Sequence, residues 1–223
     1  GKGAPNESLN ESAPRSAEEA HYDNQANLSV GRGAYMAQRR SGPLFAYKNF
    51  ANSVKRRMIK AYAARAGLLV ELGCGRGGDI SKWREAGVRH VLAMDLSAKQ
   101  LDDARKRETD GGGRQGATTI EWFQGSLLDP ALEEALRPRM VATGGGERGQ
   151  GAHAAASVGA DALAIMFSVQ FAFRTRAEAD RLLATISALL KPGGVFFGVA
   201  PDGDAIVASI GEGAELRRAP PEH

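Results

Sequence analysis

The sequence predicts an α/β fold: a doubly wound, mostly parallel sheet of about five strands, covered by helices on both faces. Three observations predict it. Apolar, β-branched runs alternate with charged helical patterns along most of the chain. Leu68-Leu69-Val70-Glu71-Leu72 enters a glycine-rich turn, Gly73 to Gly78, and a helical pattern follows from Asp79. An acid, Asp95, ends the next apolar run, about 20 residues after Gly73, as in mononucleotide-binding sheets. Such sheets bind ligands beyond the carboxyl ends of their strands, near the point where strand order reverses.

Each element follows in order. Residues 1 to 20, rich in Gly, Ser, Asn, Glu and Pro, read as a disordered tail. A domain is expected over 21–210. From Leu44 to about Arg65, the residues Phe50, Val54, Met58, Ile59 and Tyr62 recur at helical spacing and form one apolar face. Lys48, Asn52, Lys55 and Arg56 fall on its other faces. Leu68 to Leu72 is the first strand. A helix over Asp79 to Ala86 is stopped by Gly87. Val88 to Met94 is the second strand, and Ala98 to about Glu108 a charged helix. Thr118 to Phe123 is the third strand, and Pro130 to Arg137 a short helix opened by proline.

Residues 143 to 160 are Gly/Ala-rich and read as an insertion. Ala162 to Val169 is the fourth strand. Ala177 to Leu190 is an amphipathic helix with Leu182, Leu183, Ile186, Leu189 and Leu190 on one face. Lys191-Pro192-Gly193-Gly194 stops it, Val195 to Val199 is the fifth strand, and residues 204 to 210 start another helix. Residues 211–223 read as a tail.

Composition limits the function classes. A chain of 223 residues with 43% hydrophobic content has enough apolar side chains for one core. The net charge of +3 does not by itself point to nucleic acid. One cysteine, Cys74, excludes an intrachain disulfide and a cysteine-rich zinc site; it reads as loop packing. No apolar run reaches membrane-span length and no signal-peptide core opens the chain, so a soluble intracellular protein without a membrane partner is expected.

Glu71, Gly73, Asp95, Ser126 and Gln170 all fall at or just past strand ends, so one crevice should gather them. Asp95 can accept hydrogen bonds from both ribose hydroxyls of an adenosine. Gly73, Gly75 and Gly78 fit G-x-G-x-x-G, which serves NAD and S-adenosylmethionine (AdoMet) alike. Two features favour AdoMet. Glu71 precedes the turn, where it would repel a pyrophosphate and attract a cation. None of His21, His90, His153 and His223 is placed as a hydride-transfer partner. A P-loop is excluded, because no Gly-Lys-Ser/Thr follows.

These residues resemble the messenger-RNA cap guanine-N7 methyltransferases over about 21–207. His21-Tyr22-Asp23 is similar to the family's His-Tyr-Asn. Lys48-Asn49-Phe50-Ala51-Asn52-Ser53-Val54-Lys55 resembles its Arg-Asn-Phe-Asn-Asn-x-x-Lys. Glu71 to Asp79 followed by Lys82-Trp83 resembles its Asp-Leu-Gly-Cys-Gly-Lys-Gly-Gly-Asp and Lys-Trp. Gln170-Phe171-Ala172 and Lys191-Pro192-Gly193-Gly194 with Pro201-Asp202 complete the match.

The resemblance implies a Rossmann-like class I AdoMet methyltransferase fold, here without the family's final strands. It implies AdoMet contacts from Lys55, Gly73, Asp95 and Gln170, and cap contacts from Asn52, Arg76, Lys82 and Arg107. With the residues read directly, the cofactor set is Lys55, Glu71, Gly73, Gly75, Asp95, Ser126 and Gln170. Ser126 or Asp129 stands where the family has an acid near the adenine. No side chain is assigned as acid, base or metal ligand. The implied partners are the capped 5′ end of mRNA and other capping-apparatus proteins, in the nucleus. Phe173-Arg174-Thr175 follows Ala172 directly, without the family's His-Tyr, which leaves open a methyltransferase with another acceptor or a non-catalytic AdoMet- or RNA-binding protein.

Overall fold

The computed structural model describes residues 19–21, 23, 45–110, 118–143 and 159–210. The elements are α1 (Phe45–Tyr62), β1 (Leu68–Leu72), α2 (Ile80–Glu85), β2 (His90–Asp95), α3 (Ala98–Asp110) and β3 (Thr119–Gln124). They continue with α4 (Leu132–Thr143), β4 (Ala160–Met166), a 3-10 turn (Val169–Phe173), α5 (Arg176–Leu189), β5 (Leu190–Val199) and α6 (Gly203–Ile210). The five strands lie in the order β3-β2-β1-β4-β5 and all pair in parallel. Strand order therefore reverses between β1 and β4, and a crevice opens beyond their carboxyl ends.

Alternation along the strands splits the core in two. Leu69, Val91, Ala93, Ala162 and Ala164 pack with Ile59 of α1, Ile80 and Trp83 of α2, and Leu101 of α3. Leu68, Val70, Leu72, Leu92, Met94, Leu163 and Ile165 face Leu136 of α4 and Leu182, Ile186 and Leu189 of α5. β1 is buried at all five positions, as expected of a central strand covered on both sides.

Several expectations need correction. In α1, Ile59 is buried, but Phe50 and Tyr62 are 68% and 51% exposed. The inward face runs instead through Ala51, Lys55 and Ile59, because Lys55 reaches an acid under the glycine turn. In α5, Leu183 is exposed; it lies about 100° around the helix from Leu182, outside the face formed by Ala179, Leu182, Ile186 and Leu189. α4 runs through Pro138 to Thr143 rather than stopping at Arg137. β5 begins at Leu190, so Lys191 to Gly194 belong to a strand, with a register irregularity opposite Ala160 and Ala162. Glu19 and Ala20, expected in the tail, are helical. The rest of that tail, residues 144–158 of the insertion and the tail from 211 lie outside the described residues.

Candidate functional site

The crevice is lined by the glycine turn, the tip of β2, the segment after β3 and the segment after β4. In the turn, Gly73 (φ +78°) and Gly75 (φ +55°) adopt left-handed backbone that favours glycine. A Cβ at Gly73 would also stand 2.2 Å from Ser168 Oγ, so β1 and β4 approach this closely only with glycine there. The N–H groups of Gly73 and Cys74 both donate to Met94 O, at 2.8 and 2.9 Å, tying the turn to β2.

Asp95 is the polar centre of the crevice. Its Oδ2 accepts from Gly75 N at 2.6 Å and its Oδ1 from Ser97 N at 3.0 Å. The carboxylate keeps a lone pair for a further donor. Burial raises the Asp95 pKa, against lowering by backbone hydrogen bonds from Ser97, Gly75 and Leu96. Met94, Leu96, Leu127 and Leu128 supply apolar walls around it. A buried acceptor between apolar walls, with backbone exposed at two glycines, suits an adenosine carrying a polar substituent.

Of the expected residues, Gly73, Gly75, Asp95 and Ser126 line the crevice together. Ser126 Oγ accepts from Leu128 N at 3.1 Å and so shapes the wall. Asp129 is exposed, and its Oδ1 accepts from Ala131 N at the start of α4. Of the two alternatives, Ser126 is therefore the one in the crevice.

The other three of the cofactor set do not line it. Glu71 is 1% exposed beneath the turn, and its Oε2 accepts from Trp83 Nε1 at 2.7 Å. The alternation of β1 explains this, since Glu71 shares the face of Leu69 and points at α2. Burial lifts its carboxyl to about 8 and nearby Asp79 adds to the rise, against the lowering influence of Lys55. Gln170 lies in the 3-10 turn rather than at a strand end, and its Nε2 donates to Phe167 O at 2.8 Å. Lys55 pairs with Asp79 at 2.6 Å, with its ammonium 5.9 Å from the centre of the Phe167 ring.

The residues expected to face a cap hold protein partners. Lys82 is buried, donates to Gly78 O at 2.8 Å and pairs with Asp79 Oδ1 at 2.7 Å. Burial opposes ionisation of Asp79, but Lys55 and Lys82 hold it below the usual carboxylate range. Arg76 pairs with Asp103 of α3 at 2.8 Å. Asn52 Nδ2 donates to Lys48 O at 2.8 Å within α1. Arg107 is exposed in the last turn of α3, and its guanidinium approaches Gly78. Cys74 is buried, which pushes its thiol well above the ordinary value.

Sequence reasoning missed Phe167, Ser168 and Arg174, which line the crevice. Phe167 sits at φ +67°, an uncommon conformation for a bulky residue, held by its N–H on Val199 O and by the Gln170 amide on its carbonyl. Only the sharp end of the fourth strand could have signalled it. Leu96 had a signal, its place directly after Asp95.

Among the described residues, no group of three or more His, Cys, Asp or Glu side chains is placed to hold a metal. No described helix is long and apolar enough to cross a membrane.

The mRNA (guanine-N(7))-methyltransferase domain matches residues 6–218. The chain is 26% identical over 196 residues to mRNA cap guanine-N(7) methyltransferase 1 of Arabidopsis thaliana, covering 88% of this chain and 48% of that protein. It is 28% identical over 186 residues to the mRNA cap guanine-N(7) methyltransferase of Saccharomyces cerevisiae, covering 83% and 38%. The chain thus spans about half the length, or less, of these relatives. Among solved structures, the DhpI–SAH complex superposes with a TM-score of 0.50 at 16% identity, covering 82% of this chain and 67% of that one, which supports the fold. With nearly its whole length matched, and the glycine turn bonded to Asp95 where the strand order reverses, the chain belongs to the mRNA (guanine-N(7))-methyltransferase domain family.

Proposed function

We propose that this chain binds AdoMet in the crevice and directs its methyl group to N7 of the terminal guanosine of capped RNA. The observation that carries the reading is the bond from Gly75 N to Asp95 Oδ2, which fixes a ribose-accepting carboxylate beside open backbone at the turn. Asp95 would accept the ribose hydroxyls, and Gly73 would leave room for the amino-acid end. Ser126, with Leu127, would border the base.

AdoMet, when bound, supplies an electrophilic methyl group. Guanine N7 has a lone pair and no proton to lose, so the protein need only position the acceptor. Catalysis would then come from proximity, orientation and electrostatics. Arg76, Arg107 and Asn52 would hold the cap, arginine suiting the phosphates through charge-assisted hydrogen bonds. Lys55 and Glu71, expected at the cofactor, and Lys82, expected at the cap, support the turn from below, because they are largely buried on Asp79 and Trp83 while Arg76 and Arg107 lie nearer the surface. We infer from the family a nuclear setting, alongside other capping proteins.

The test is transfer of labelled methyl from AdoMet to RNA ending in GpppG. Label appearing at N7 of the cap is the expected result. A second reading, another acceptor, is favoured by one observation: after Ala172, where the family carries His-Tyr, the crevice is lined by Arg174. Binding of AdoMet with label passing to a different acceptor, and none to the cap, would select that reading. Failure of calorimetry to detect AdoMet binding would overturn both.

A further inference from the structure

Residues 19–21 and 23 form a helical turn, far from the crevice in sequence, that rests on the tips of β2 and β3. Glu19 Oε1 accepts from Gln124 Nε2 at 3.2 Å, and the same nitrogen donates to Leu96 O at 3.2 Å. Asp23 is 3% exposed and Ser97 is fully buried. Ser97 Oγ donates to Asp23 Oδ1 at 2.5 Å and accepts from Gln100 N at 3.2 Å, at the start of α3. Its backbone N–H donates to Asp95 Oδ1 at 3.0 Å. An acid outside the crevice is therefore joined to the crevice acid through one serine, which fills its hydroxyl's donor and acceptor roles at once.

Burial of a carboxylate is unfavourable unless hydrogen bonds offset it, so Asp23 is kept here by donors such as the Ser97 hydroxyl. Ser97 opens α3, its carbonyl accepting from Leu101 N at 3.1 Å and its hydroxyl from Gln100 N. With its hydroxyl fixed by Asp23, the setting that keeps its N–H on Asp95 is selected, and the Asp95 carboxylate is held at one angle.

We propose that Asp23 is a positioning residue for cofactor binding: through Ser97 it orients Asp95 toward the ribose. This rests on the reading above that Asp95 receives the ribose hydroxyls. The experiment is a double-mutant cycle on the full chain, with S-adenosylhomocysteine as probe in calorimetric titration. Asp23→Ala should weaken binding about tenfold, equal to about 1.4 kcal/mol, in the wild-type background. In an Asp95→Asn background it should weaken binding by less than twofold. Asp23→Asn, whose amide oxygen still accepts from Ser97, should restore most of the affinity.

Equal losses in both backgrounds would show only general damage to the fold and overturn the proposal. So would an unchanged affinity in Asp23→Ala. If Asp23→Ala does not fold, Ser97→Ala takes its place in the cycle, with the same tenfold loss and the same lack of further loss beside Asp95→Asn expected. If Asp95→Asn alone leaves binding unchanged, the ribose reading itself fails. If Asp95→Asn weakens binding and Asp23→Ala does not, only the role of Asp23 falls.

Discussion

Gly75 N and Asp95 Oδ2 lie 2.6 Å apart, so the turn after β1 and the acid ending β2 form one unit. A change at either residue moves the other. This is why loop geometry and carboxylate chemistry are expected to fail together in the variants below.

Asp95→Asn tests the centre of the unit. An amide keeps the shape but loses the charge and one acceptor oxygen. Affinity for AdoMet should fall by about 10- to 100-fold, the worth of charge-assisted hydrogen bonds. Stability should fall as well, by about 1–3 kcal/mol, because the amide nitrogen faces the N–H of Gly75 or of Ser97 and one of these hydrogen bonds is lost. Calorimetry and thermal unfolding on the same sample check both halves.

Gly73→Ala tests the turn. The new Cβ meets Ser168 Oγ at 2.2 Å and the residue keeps φ near +78°. Backbone strain alone should cost about 1–3 kcal/mol. Chemical denaturation should show that loss, and AdoMet binding should drop below detection at micromolar cofactor. Full stability with full binding would contradict the close approach of β1 and β4.

Glu71 sets a pH dependence. Its carboxyl is raised in the folded chain to about 8 from an ordinary 4.5. Between those values the folded state binds more protons than the unfolded state, so stability falls as pH rises. The slope from this group is at most about 1.4 kcal/mol per pH unit. Thermal unfolding from pH 5 to 8 should show the decline, and Glu71→Gln should flatten it. An unchanged slope in the variant would place the titration elsewhere.

Lys82 and Arg107 separate support from substrate contact. Lys82 and Asp79 are both almost fully buried, so Lys82→Met should destabilise the fold by about 3 kcal/mol. Its residual folded fraction should keep its affinity for GpppG-ended RNA. Arg107→Ala, at an exposed position, should leave the melting temperature within about 1 °C and raise the KM for capped RNA. The opposite pattern would return Lys82 to the cap.

The alternation of apolar strands and charged helices, the glycine turn and the acid ending β2 were legible along the chain. They depend on local preferences: period, turn chemistry and the need of a central strand for apolar residues on both faces. The convergence of Gly73, Gly75, Asp95 and Ser126 on one crevice followed from parallel topology alone. The destination of long polar side chains was not legible. Lys55, Lys82 and Glu71 each had a plausible ligand, yet all three turned beneath the loop, where Asp79 and Trp83 stand.

What the sequence by itself determined is the sheet, its order of elements and the place of the crevice, because these rest on short-range periodicity. Only the tertiary structure decided which charges meet one another instead of a ligand, and that Asp23 lies against Ser97 across a gap of 74 residues. Such pairings depend on three-dimensional distance and burial, which make an unmatched charge costly and are encoded in no single stretch of chain.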